Sequence, residues 1–216
     1  MEWELFESVP PEDLQRVLAV ARRRRFERGE VVFHQDDLAE SLHLVTAGRF
    51  AITRRTALGE EALVSIRQSG EAFGELALIS ERRRSATVSA LEIGETLSVL
   101  YDDFEHLRTH HPSVDRMLVT LLAAQLTRMD QLLAEAYYET AERRVIRRLL
   151  DLGHVYGGGD RPIRITQDQL ASLAGASRAT VNAVLADERR RGTIEVKRGS
   201  TLILDRDALV RRAGIR

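Results

Sequence analysis

The stretch Pro112–Ala136, PSVDRMLVTLLAAQLTRMDQLLAEA, constrains the chain most, because one long helix is the regular structure that suits it. No Pro or Gly interrupts the 24 residues after Pro112, and a Pro suits the first helical turn, where its missing N–H leaves no bond unmade. At about 1.5 Å per residue this helix spans roughly 37 Å. Leu118, Leu122, Gln125, Met129, Leu132 and Ala136 recur at spacings of four and three, so they wind into one stripe. The stripe needs a partner, either the core of one domain or a second copy of the same helix. Because the flanking segments differ in pattern, as two domains would, the second copy is the expectation.

Ahead of the helix, Leu14, Val17, Leu18 and Ala21 make a short amphipathic opening, followed by RRRRFERGE at Arg22–Glu30. Four consecutive arginines fit a nucleic-acid patch or a solvated entry to a first strand. Phe26 and Val31–Phe33 favour the strand entry. From there the pattern turns to period two: Val31–His34, Ser41–Thr46, Phe50–Arg54, Ala62–Arg67, Ala86–Ala90 and Thr96–Tyr101, with turn signals at Gly29, Asp36–Asp37, Gly48, Gly59 and Gly70. Regularly spaced short strands imply a sandwich or barrel, and a double-sheet jelly roll is expected.

One segment breaks this rhythm, Gly70 to Val88, GEAFGELALISERRRSATV. Glu75–Ile79 reads as a helical turn, whose unpaired N–H groups favour an anion. Gly74 permits close approach, Arg84 can grip a phosphate through two parallel N–H bonds, and Ser85 can add a hydroxyl. The Glu75 carboxylate is an acceptor, so its natural partner is a hydroxyl pair such as a ribose edge. Phosphate and ribose together point to a nucleotide. Arg83 and Arg84 both remain open as the phosphate ligand, with adjacency to Ser85 favouring Arg84.

Beyond the helix, Tyr137–Ala141 reads as a hinge, Ala141–Leu152 is amphipathic with Val145, Ile146, Leu149 and Leu150 inward, and the run from Gly157 to Asp160 reads as a connector. Thr166-Gln-Asp-Gln169 is a capping box that starts a helix through Ala174, which Gly175 ends. Arg178–Arg191 forms a second helix with Val181, Val184 and Leu185 buried. Thr193–Lys197 and Thr201–Leu204, around Arg198-Gly199-Ser200, make a hairpin. Two helices across a tight Gly turn, then a hairpin, constitute a winged helix-turn-helix, whose second helix enters a DNA major groove. Charge agrees with this reading: Ala141–Arg216 carries 16 basic against 9 acidic residues, and the remainder 16 against 24.

The Gly-Glu-Leu-Ala at Gly74–Ala77 followed by Arg-Ser-Ala at Arg84–Ala86 resembles the phosphate-binding cassette of cyclic-nucleotide-binding domains. Leu170–Val181, LASLAGASRATV, resembles the reader of the cyclic-AMP receptor protein and fumarate–nitrate regulator family of bacterial transcription factors. The resemblance covers nearly the whole chain. It implies an α+β architecture: a cyclic-nucleotide-binding-like effector domain over 1–111, a dimerisation helix and hinge over 112–138, and a winged helix-turn-helix over 139–216. It also implies cyclic AMP as effector, double-stranded DNA at a palindromic operator as partner, and a homodimer. Direct contact with RNA polymerase is left open.

Carried over residue by residue, the resemblance gives the ribose hydroxyl to Glu75, flanked by Gly74 and Leu76, and the cyclic phosphate to Arg84 and Ser85. The Thr-Ser pair that relatives turn toward adenine falls on Met129 and Asp130, with Thr127 displaced beside them. Asp130 can accept from an exocyclic amine and Met129 can pack on a ring. Asp36-Asp37 replaces a common Gly, which a turn tolerates. DNA-contact roles fall on Thr166, Ser177, Arg178, Thr180, Asn182, Lys197 and Arg198. Arg178 occupies a base-reading position, where Arg typically pairs with guanine, and Asn182 faces the groove edge, open between contact with a base or phosphate and a solvated position. Ala179 and Ala183 replace a common Glu and a common basic reader, so recognition is expected to differ.

Other classes are excluded or disfavoured. The chain has no cysteine, which removes disulfides, thiolate chemistry and ordinary iron–sulfur clusters. His34, His43, His106, His110, His111 and His154 form no metal motif and no activated nucleophile is evident, so no metal and no enzyme activity is expected. No apolar run is long enough to span a bilayer and the N-terminus is acidic, which points to the cytoplasm.

Overall fold

A computed structural model describes residues 10–55, 59, 61–78, 82–158 and 161–215. It divides into two compact units, Met1–Thr127 and Arg128–Arg216.

In the first unit, α1 (Pro11–Val20) opens with Pro at the start of the helix and buries Val17. Leu14 of the expected apolar face has a side chain outside the described residues. Eight strands follow: β1 (Arg22–Phe26), β2 (Val31–Phe33), β3 (Ser41–Ala47), β4 (Arg49–Arg55), β5 (Glu61–Gln68), β6 (Ala72–Phe73), β7 (Thr87–Ala90) and β8 (Gly94–Leu100). They form two antiparallel four-stranded sheets, β1-β8-β3-β6 and β2-β7-β4-β5. This crossing order between two sheets is the jelly roll the strand spacing predicts. Its core is Phe26, Val45, Phe50, Phe73, Val88 and Ala90, drawn from both sheets, with Phe26 edge-on to Phe50 at 5.7 Å between centroids. Deleting one such ring costs about 3–5 kcal/mol.

The four arginines are strand β1 itself rather than an entry to it, paired with β8 from Arg22↔Ser98 to Phe26↔Gly94. β1 lies at a sheet edge and all four arginines are exposed, so they supply the charge that keeps an edge from pairing with another chain. A single 3-10 turn, Glu75–Leu78, follows β6; Ile79, the expected end of the turn, lies outside the described residues. Helix α2 (Tyr101–His110) precedes α3 (Pro112–Tyr138), which continues into the second unit.

Helix α3 runs to Tyr138, so the hinge narrows to Glu139 and Thr140. Along it, Leu122, Gln125 and Leu132 of the expected stripe are half-buried and Ala136 is exposed; the Leu118 side chain lies outside the described residues. Among the described residues of α3, the large apolar side chains left in solvent are Val119, Leu126, Met129, Leu133, Tyr137 and Tyr138. Five of these, Val119, Leu126, Met129, Leu133 and Tyr137, keep helical spacing, so the free seam is displaced from the stripe read off the sequence.

In the second unit, Thr140 caps α4 (Ala141–Val155) by accepting from the Arg143 N–H at 3.3 Å. Val145, Ile146, Leu149, Leu150 and Leu152 are buried. Helices α5 (Gln167–Ala174) and α6 (Arg178–Arg190), the hairpin β9 (Ile194–Lys197) with β10 (Ser200–Ile203), and α7 (Arg206–Arg212) complete it. Gly175 ends α5 at φ +55°, a left-handed turn that glycine adopts without strain. The connector's Gly159 and Asp160 lie outside the described residues. Among the described residues no helix is long and apolar enough to cross a membrane.

Candidate functional site

The cassette is built where β6 ends. Gly74 sits at φ +85°, and a Cβ there would lie 2.5 Å from Nη1 of Arg84. Only glycine lets the turn and the guanidinium come this close. Arg84 is 3% exposed. Its Nη1 donates to the Gly74 carbonyl at 3.4 Å, its Nη2 to Ser41 Oγ at 3.3 Å, and its Cζ lies 3.9 Å over the centre of the Phe33 ring. Among the described residues its buried Nε has no partner and no carboxylate comes within 4 Å. Burial pushes its pKa down to about 10, against the opposing pull of Glu40, Asp37 and Glu75.

A buried guanidinium held by two long bonds is costly to desolvate. A phosphate would supply the missing charge and acceptors. Glu75 is also buried, and its Oε1 accepts from Gln125 Nε2 at 2.7 Å. The residues present therefore fit an anion flanked by hydroxyl donors.

Arg83 and Arg84 are distinguished by their surroundings. Segment 36–39 pairs with 82–84: the Asp36 N–H donates to the Arg84 carbonyl at 2.8 Å, and the Arg84 N–H to the Asp37 carbonyl at 2.9 Å. This alternation turns Arg84 inward and leaves Arg83 exposed, bonded to the Asp36 carbonyl at 2.9 Å. Asp36 takes φ +71°, the left-handed turn that the replaced glycine would occupy freely.

The structure thus gathers Gly74, Glu75 and Arg84. Ser85 follows Arg84 and is exposed, as is Leu76. Thr127 is exposed and its hydroxyl donates within the helix to the Ala123 carbonyl at 3.0 Å. Met129 and Asp130 are exposed positions of α3. Ser41, Phe33 and Gln125 had no assigned place in the cassette, since only the strand pairing and helix packing reveal their contacts.

In the second unit the capping box forms in full: Gln169 N–H donates to Thr166 Oγ1 at 3.1 Å and Thr166 N–H to Gln169 Oε1 at 2.8 Å. Ser177 caps α6, accepting from the Thr180 N–H at 3.1 Å and sharing a 2.9 Å bond with the Thr180 hydroxyl. The exposed face of α6 carries Arg178, Ala179, Asn182, Ala183, Ala186, Arg189 and Arg190. Arg178 pairs with Asp168 at 3.3 Å, both well exposed. Lys197 pairs with Glu195 at 3.1 Å, and Arg198 is exposed at the hairpin tip.

Two features were not legible in the sequence. Arg144 donates to the carbonyls of Glu139, Ala174 and Gly175 at 2.9, 2.9 and 2.8 Å, tying the hinge to the turn between α5 and α6. Glu188, fully buried at the end of α6, accepts from Thr193 Oγ1 at 2.7 Å and Arg212 Nε at 2.5 Å. That pair fixes α7 against α6.

A jelly roll with this cassette, joined to a winged helix-turn-helix, defines a DNA-binding transcription regulator with a cyclic-nucleotide-binding domain. Residues 23–111 match the family model of the cyclic nucleotide-binding domain, and residues 143–212 that of the Crp-like helix-turn-helix domain. The chain is 34% identical to a cyclic AMP receptor protein of Thermus thermophilus over 196 residues, covering 91% of this chain and 90% of that one. It is 30% identical to a CRP-like cAMP-activated global transcriptional regulator of Mycobacterium tuberculosis, covering 97% and 96%. Among solved structures, the catabolite activator protein of Thermus thermophilus aligns with a TM-score of 0.56 at 32% identity, over 97% and 98% of the two chains. The c-di-GMP responsive regulator CLP of Xanthomonas campestris, at 22% identity and a TM-score of 0.75 over 90% and 99%, shares the fold. The chain belongs to the CRP/FNR family of transcription regulators.

Proposed function

We propose that the protein is a cytoplasmic homodimer whose reader domain is controlled by a cyclic nucleotide, cyclic AMP foremost, bound at the cassette. The observation that carries this reading is Arg84: buried, without a carboxylate partner among the described residues, and crowded by a glycine that no other residue replaces. The cyclic phosphate would sit on Arg84 and Ser85, and the ribose 2′-hydroxyl on Glu75. The names of the Thermus and Mycobacterium relatives support cyclic AMP as the effector.

The exposed seam of α3 supports self-association, because Val119, Leu126 and Met129 are each more than 60% exposed and a second copy would bury them. Two readers related by a dyad would then meet half-sites about 34 Å apart on a palindromic operator. An effector with different affinity for two reader arrangements would shift their populations.

A second reading, another effector or none on the same fold, is favoured by the bond that already occupies Glu75 Oε1 and by the absence of a Thr-Ser pair at Met129 and Asp130. Calorimetric titration of the purified protein with cyclic AMP separates the two. Micromolar binding that Arg84→Ala abolishes supports the first, and no heat with either protein supports the second. Sedimentation of Leu126→Glu tests the dimer, which should dissociate if the α3 seam holds it.

A further inference from the structure

Behind Arg84 lies a chain of polar side chains, half-buried at Ser41 and buried at His43 and Thr96. Ser41 Oγ, which accepts from Arg84 Nη2 at 3.3 Å, lies 3.1 Å from Nε2 of His43, and Nδ1 of His43 lies 3.0 Å from Thr96 Oγ1. His43 is 3% exposed and Thr96 fully buried. The imidazole stacks on Phe73, its partner across β3 and β6, at 5.0 Å and 8° between planes, with Phe26 and Phe33 around it. An apolar ring would suit this aromatic pocket without hydrogen bonds. A histidine there has both nitrogens matched.

We infer that Ser41 and His43 are positioning residues for Arg84, a relay that fixes its guanidinium for an incoming anion. A guanidinium only donates, so the Ser41 oxygen is the acceptor. The Ser41 hydrogen then points to His43 Nε2, which places the ring proton on Nδ1, donating to Thr96. This assignment follows from the bonding pattern. A neutral ring completes the relay without adding positive charge beside Arg84. With one Nη1 hydrogen on Gly74 and one Nη2 hydrogen on Ser41, the Nε–H and the second hydrogen of each Nη are left for the ligand. The inference rests on the reading of Arg84 as the anion ligand, yet Arg84's restraint is measurable without one.

The test has two arms, each using the full-length protein. In the first, 15N NMR of the ligand-free protein follows rotation of the Arg84 guanidinium. Wild type should show slow rotation with resolved Nη signals, and Ser41→Ala, His43→Phe and the near-isosteric Thr96→Val should each average them. Unchanged rotation in Ser41→Ala together with either of the others overturns the inference, whatever the ligand proves to be. His43→Gln, which keeps a donor and an acceptor, should restore slower rotation, whereas a merely structural role predicts no rescue.

In the second arm, cyclic AMP is titrated into the same variants. Ser41→Ala and His43→Phe should each weaken binding by about tenfold, and the double variant no further, because both break one chain. Wild-type binding that neither variant weakens overturns the inference. Wild type that binds no cyclic AMP instead contradicts the proposed effector, and the first arm still decides the relay.

Discussion

The amide of Gln125 donates to the carboxylate of Glu75 across 2.7 Å, joining the long helix to the turn that begins the cassette. Glu75 is 6% exposed, so this bond satisfies an acceptor that water barely reaches. Among the described residues it is a direct side-chain link between the cassette and α3. A hydroxyl arriving at Glu75 would compete with Gln125 or share its oxygens, and either change acts on the helix.

Replacing Gln125 with Leu leaves the buried carboxylate short of a donor. The expected cost is about 1–3 kcal/mol, read as a lower urea midpoint with unchanged slope. Cyclic AMP should recover part of it, because a ribose hydroxyl supplies the donor. No loss of stability would mean that Glu75 is satisfied elsewhere.

Gly74→Ala tests the close approach. The backbone at φ +85° strains any side chain, and the new Cβ meets Arg84 Nη1 at 2.5 Å. Cyclic-AMP affinity should fall by at least about tenfold while the circular dichroism of the roll is retained. Retained affinity would place the anion away from this edge of Arg84.

The pH response of His43 has a definite sign. Burial, reinforced by the charges of Arg84 and Arg24, lowers its pKa from 6.5 to about 3. The unfolded chain therefore takes up a proton that the folded one refuses. The associated stability is fully present above about pH 6.5 and is lost as pH falls toward about 3. Relative to His43→Phe, the wild type should lose about 2 kcal/mol between pH 7.5 and pH 5, measured by denaturant titration at both pH values. Parallel curves for the two proteins would show His43 to be accessible to protons.

Arg178→Ala separates base reading from phosphate contact. On a specific operator the loss should be about 1–3 kcal/mol, with little change on random duplex. Its pair with Asp168 joins two exposed side chains, so thermal stability should move by less than about 1 kcal/mol. Equal losses on both DNAs would make Arg178 a phosphate ligand.

Much of this was legible in the sequence because local chemistry encodes it. The capping box at Thr166, the glycine end of α5 and the period-two strands each rest on neighbours in the chain, and they appear where expected. β1 was harder, since four exposed arginines carry no hydrophobic alternation and pairing with β8 alone makes them a strand. The displaced seam of α3 had a similar cause: periodicity finds a stripe, but packing decides which side of it stays in solvent. In the cassette, Gly74, Glu75 and Arg84 stand in a recognisable run, whereas Ser41, His43 and Thr96 are joined only by the register of β3 and β8. Glu188 with Arg212, and Arg144 with the turn before α6, are likewise products of tertiary packing.

On the proposed reading, an anion on Arg84 controls the reader. Its most direct test is fluorescence anisotropy with a labelled palindromic operator at fixed salt, with and without cyclic AMP, for wild type and Arg84→Ala. Effector control predicts that cyclic AMP tightens or weakens operator binding by the wild type at least about fivefold and leaves Arg84→Ala unmoved. Identical wild-type affinity in both conditions, in a protein that still binds the operator, would contradict cyclic-AMP control and leave a reader governed by another effector or by none.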